Sequence, residues 1–93
     1  MKGIPDHSCP ALARGTRLST DKQTGEPMLL FPEGVVHLSA TAQAILQQCD
    51  GQTTIGAIVD ALAGEFEADP AALRDDVLEC LTQLQGRKLV VIM

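Results

Sequence analysis

Two short apolar runs, Met28 to Phe31 and Val35 to Leu38, are separated only by Pro32-Glu33-Gly34 and lead straight into an amphipathic stretch from Ala40 to Cys49. Proline presets one turn torsion and glycine accepts positive φ without a Cβ clash, so the segment reads as a tight hairpin feeding a helix. A small hairpin set beside helices leaves one strand edge without a partner. Such an edge is where another chain can add a strand.

The neighbouring segments fill in the rest. Arg17 to Lys22 reads as a first strand, followed by the turn Thr24-Gly25-Glu26-Pro27. Ser39 is a natural N-cap for the first helix, whose apolar stripe is Ala42, Ile45, Leu46 and Cys49, and Asp50-Gly51 ends it. Thr53 is the expected cap of a second helix running to Phe66, with Ile55, Ile58, Val59, Leu62 and Phe66 on one face. Asp69-Pro70 opens a third, with proline at the first helical position, where its missing amide costs nothing. Leu73, Val77, Cys80, Leu81 and Leu84 form its inward stripe, and Gly86 stops it. Leu89 to Ile92 is an apolar tail, either a terminal strand or an interface segment.

Residues 1–12, polar and without a period, read as a mobile arm ahead of one domain spanning 13–93. Three antiparallel strands followed by three helices make an α+β, winged-helix-like domain. At 93 residues with two Phe and no Trp or Tyr, its core rests on Leu, Ile, Val and Ala and leaves little room for a deep catalytic pocket.

Charge narrows the function further. The net charge is −5, and no Lys or Arg occurs from Gln23 to Leu73, an interval that holds seven of the twelve carboxylates, Glu33 and Asp50 among them. The third helix adds only Arg74 against Asp75, Asp76 and Glu79, so the DNA binding that a winged-helix outline suggests would set like charge against like. Catalysis needs a nucleophile, base or metal placed together, and His37 near Glu33 has no nucleophile motif beside it. The acids of the third helix read as a solvated face. Cys9, Cys49 and Cys80 form no Cys-x-x-Cys pair, and His7 with Cys9 lacks a second ligand pair; reduced thiols, no metal and no cofactor are expected. The apolar runs are too short for a bilayer and the first residues lack a signal-peptide core, which points to a cytoplasmic protein.

A binding module fits better than an enzyme. An extended peptide adding antiparallel to the strand Val35 to Leu38 would draw affinity from backbone hydrogen bonds and selectivity from pockets between that strand and the third helix. Leu78 lies off the inward stripe beside Arg74 and Asp75, as an apolar spot for a peptide or as one more core residue. Proline at Val36 is expected to abolish peptide binding if that amide points outward, and Leu78→Asp to weaken it if the spot is the pocket. Other readings are a small acidic carrier protein, though Ser39 lacks a preceding acid to mark it as a phosphopantetheine site, and a non-catalytic winged-helix interaction domain of another pathway.

Arg14-Gly15 with Arg17-Leu18, Leu29-Leu30 with Pro32-Glu33-Gly34, Ala44-Ile45-Leu46, Asp50-Gly51, Ile58-Val59 with Leu62, and Asp76-Val77 with Leu81 and Leu84 occur in an order and spacing that resembles the pyrroloquinoline quinone (PQQ) biosynthesis protein D family, over about Pro10 to Leu89. The resemblance implies a stand-alone recognition element for a ribosomally made precursor peptide. It implies a peptide chaperone, not a catalyst, that presents the precursor's leader to a radical S-adenosylmethionine (SAM) enzyme joining a Glu and a Tyr side chain of that peptide. It implies strand addition at Val35, Val36, His37 and Leu38, against Arg74, Leu78 and Leu81 of the third helix. The free edge and the apolar tail also leave room for a homodimer.

Overall fold

The computed structural model describes residues 4–93. Eight elements follow one another: β1 (Pro10–Leu12), β2 (Arg17–Thr20), β3 (Pro27–Phe31), β4 (Gly34–His37), α1 (Ala40–Gln47), α2 (Ile55–Phe66), α3 (Pro70–Gly86) and β5 (Val90–Ile92). β2, β3 and β4 form an antiparallel meander in that order, and β1 pairs with β5 in a separate two-stranded sheet. The α+β winged-helix-like outline thus holds, with one sheet more than expected.

The meander is set by local chemistry. Asp21 opens the first turn by accepting from the amides of Gly25 (2.7 Å, through its carbonyl) and Gln23 (2.9 Å, through its carboxylate). Gly25 supplies the positive φ of 78° that this turn requires. The second turn is tighter than expected. Phe31 pairs directly with Gly34, so Pro32-Glu33 alone make the loop and Gly34 is the first residue of β4, outside the left-handed region. One side chain of this sheet, Leu29, is completely buried beneath the helices.

Each helix begins at a side-chain cap. Ser39 Oγ accepts from Ala42 N at 3.0 Å, Thr54 Oγ1 from Ala57 N at 3.2 Å and Asp69 Oδ1 from Ala71 N at 3.3 Å. Thr54, not Thr53, caps α2. Thr53 is taken by Asp50, whose carboxylate accepts from Gln52 N (2.9 Å), Thr53 N (2.8 Å) and Thr53 Oγ1 (3.2 Å). Those bonds hold the Asp50 carboxyl below the ordinary aspartate range. α2 buries Ile55, Ile58, Val59 and Leu62, whereas Phe66, expected on the same face, is 42% exposed at the fraying end. α3 buries Leu73, Val77, Leu81 and Leu84 against it.

α3 ends in a Schellman motif: Leu89 N donates to Leu84 O and Lys88 N to Gln85 O, both at 2.9 Å. The left-handed position is held by Lys88 (φ 63°), while Gly86 lies within the last turn. A side chain there costs about 1–2 kcal/mol that glycine would not.

Within the stretch expected as an arm, Pro10–Leu12 is a paired strand. Pro10 faces Ile92, Ala11 faces Val91 and Leu12 faces Val90, with Cys9 and Met93 exchanging backbone bonds of 2.9 and 3.0 Å just beyond. The apolar tail is therefore a strand of this chain's own second sheet, and Leu89 and Val90 sit in the core. Further upstream, the carbonyls of Asp6 and Ser8 accept from Gly56 N (3.0 Å) and Ile55 N (2.9 Å), satisfying amides that the first turn of α2 leaves free.

Candidate functional site

The meander order leaves β4 with a strand neighbour on one side only. Which of its amides face outward follows from the register. Leu38 N donates to Pro27 O at 3.0 Å, and Val36 lies opposite Leu29. Hydrogen-bonded and non-bonded pairs alternate along an antiparallel ladder, so Gly34, Val36 and Leu38 point their backbone groups at β3, while Val35 and His37 point theirs to the open edge. The Val36 amide faces inward, which removes the condition under which a proline there would test the edge. β2 also has a single strand neighbour, and it contacts α1, as the central strand β3 does.

Between the β4 edge and α3 runs an open groove of about 460 Å³. Val36, His37, Leu38 and Ser39 line one wall, Thr41, Ala42 and Ile45 of α1 its floor, and Asp76, Glu79, Cys80, Gln83, Leu84 and Arg87 the other wall. Alternation along the strand turns the half-buried Val36 and Leu38 toward the core, while Val35 is 46% exposed on the opposite face. On α3 the positions Asp76, Cys80, Gln83 and Arg87 recur at helical spacing as one continuous face, offset from the Leu73, Val77, Leu81 stripe.

Two thiols lie under this wall. Burial, then the neighbouring Cys80 and Asp50, push the Cys49 thiol up to about 12, and its Sγ donates to Ile45 O at 3.3 Å. Burial and then Glu79 also raise Cys80, which is only partly covered. Since only the thiolate reacts, iodoacetamide at pH 8 should leave Cys49 unmodified in the folded chain and modify it once the chain is unfolded in guanidinium. Peptide mapping by mass spectrometry reads this directly. Modification of native Cys49 at the rate of the unfolded control would contradict its burial.

The expected strand residues Val36, His37 and Leu38 all line the groove, and Val35 lies on the same edge. The expected helix residues do not line it. Arg74 is turned away, its Nε donating to Asp6 Oδ1 at 2.8 Å in an ion pair with the N-terminal segment. Leu78 is partly buried and packs against the core. Leu81 is fully buried. The helix wall that sequence reasoning missed includes Asp76 and Glu79, read as a solvated face, and Cys80, read as core. A signal for it existed in the Cys80, Gln83, Arg87 spacing.

Among the described residues, no group of three or more His, Cys, Asp or Glu side chains is placed to hold a metal ion. No helix is long and apolar enough to cross a membrane among those residues. Fold and groove together define a small winged-helix-like domain with an unpaired sheet edge set against a helix.

The chain belongs to the coenzyme PQQ synthesis protein D (PqqD) family, whose model matches residues 26–90. The PqqA binding protein of Xanthomonas campestris pv. campestris (strain 8004) is 39% identical over 90 residues, covering 97% of this chain and 98% of that protein. The solution NMR structure for the PqqD truncation of Methylobacterium extorquens PqqCD, a functional and stand-alone recognition element for ribosomally synthesized and post-translationally modified peptides, superposes with a TM-score of 0.78 at 34% identity, covering 88% of this chain and 87% of that one. TbiB1 in complex with the TbiA(beta) leader peptide shares the fold alone, with a TM-score of 0.72 at 21% identity over 86% of this chain and 93% of its own.

Proposed function

We propose that this chain is a peptide chaperone of PQQ biosynthesis that binds the PqqA precursor by strand addition to β4 and holds it in the groove against α3. The observation that carries this reading is the outward-facing backbone of Val35 and His37 at the lip of that groove. Main-chain bonds at such an edge give affinity, and the side-chain pockets beside it give selectivity. Support for the peptide's identity comes from the relatives that are PqqA binding proteins. The site residues are then Val35, Val36, His37 and Leu38 on the strand, with Glu79, Cys80, Gln83 and Arg87 on the helix in place of Arg74, Leu78 and Leu81.

On this reading the chain does no chemistry itself and works in the cytoplasm. It presents the bound precursor to the radical SAM enzyme that modifies it. Homodimer formation through β4 would compete with peptide for the same edge.

Calorimetric titration of the chain with PqqA tests the reading. Saturable heat of binding is expected, and it should vanish when the chain has been saturated with the peptide beforehand. Absence of heat across temperatures, with the fold intact by circular dichroism, would contradict it.

A further inference from the structure

The groove is not uniform in charge along its length. Beside the β3–β4 turn a second pocket of about 410 Å³ shares Arg87 with it and is lined by Arg14, Arg87 and Lys88 with Glu33 and Phe31. Three of the chain's seven Lys and Arg residues thus line one small pocket of a chain with net charge −5. Among the described residues the one ion pair is Arg74 with Asp6, so no carboxylate neutralises these three at contact distance. Arg87 lines both pockets and marks the turn end of the groove. Asp76 is eleven residues earlier on the same helical wall, about 16 Å away at 1.5 Å per residue. With Glu79 it makes the other end acidic.

Lys88 is the one of the three whose side chain can be removed without straining the backbone. It occupies the left-handed position of the α3 terminus, where glycine is favoured, although Gly86 stands two residues earlier at a place that does not need it. Glu67 ends α2 in the same region (φ 53°), so the position by itself assigns no role to Lys88, but it lets Lys88→Gly remove the charge while relaxing the backbone.

We propose that Arg14, Arg87 and Lys88 hold a carboxylate side chain of the bound peptide on the C-terminal side of the segment that adds to β4. The direction follows from the strand. β4 runs from the turn end of the groove toward Leu38 and α1, so an antiparallel peptide enters beside the acids and leaves beside the cations. A charge contact confined to one end would fix both the register and the direction of an otherwise sequence-tolerant backbone ladder. This inference rests on the proposed peptide-binding role.

The test is calorimetry with PqqA and with PqqA variants in which each Asp or Glu is changed singly to Asn or Gln, against the parent chain, Arg87→Ala and Lys88→Gly. Lys88→Gly should keep or raise the melting temperature yet weaken PqqA binding about three- to fivefold, more so at low salt. That loss should vanish with one peptide variant, whose altered carboxylate lies C-terminal to the segment protected on β4. Equal binding of every peptide to the parent chain and both variants would overturn the proposal, as would coupling to a carboxylate on the N-terminal side. A parent chain that binds no PqqA would instead remove the underlying function.

Discussion

Val35→Pro is expected to weaken PqqA binding about tenfold or more while leaving the melting temperature close to that of Val35→Ala. The Val35 amide faces the open edge, so proline there deletes a donor to the incoming strand and sets a ring in its path, with no ladder bond lost inside the sheet. Val36→Pro should behave in the opposite way. Its amide faces Leu29 on β3, and removing it orphans an acceptor inside the sheet, at a cost of about 1–3 kcal/mol. Calorimetry and thermal melts of the three variants together separate the roles. Equal loss of binding in Val35→Pro and Val35→Ala, or a destabilised Val35→Pro, would show that the register derived for β4 is wrong.

Leu81→Ala should lower stability by about 2–5 kcal/mol, a large part of the roughly 5–15 kcal/mol that holds a small domain together. Leu81 is fully buried, and truncation leaves a cavity in the core cluster it shares with Ile58, Leu62 and Val77. Gln83→Ala, a change on the exposed groove wall of the same helix, should alter stability by less than about 0.5 kcal/mol. Denaturant unfolding monitored by circular dichroism measures both. A stable Leu81→Ala that had lost peptide affinity would return that residue to the binding surface.

These contrasts trace what was legible in the residues. Signals confined to a few neighbours were readable: the Ser39 cap of α1 and the Asp69-Pro70 start of α3 occur where expected, and the Pro32-Glu33-Gly34 hairpin is one residue tighter. Choices between adjacent candidates were harder. Thr53 and Thr54 are equal as caps until Asp50 claims the first, and Gly86 looks like the end of α3 although Lys88 takes the left-handed position. The pairing of Pro10–Leu12 with Val90–Ile92 joins segments about eighty residues apart and has no local signature. The strand wall of the groove was readable because a β edge follows from strand order. The helix wall was not, since Asp76 and Glu79 become part of it only once the angle between α3 and β4 is known.

Amide hydrogen exchange of the isotope-labelled chain, followed by NMR with and without PqqA, tests strand addition most directly. Outward amides should gain protection in the complex and inward ones, already bonded to β3, should change little. Slowed exchange at Val35 and His37, with Val36 and Leu38 nearly unchanged, is the expected result. Saturating peptide that left Val35 and His37 exchanging as in the free chain would contradict strand addition at β4.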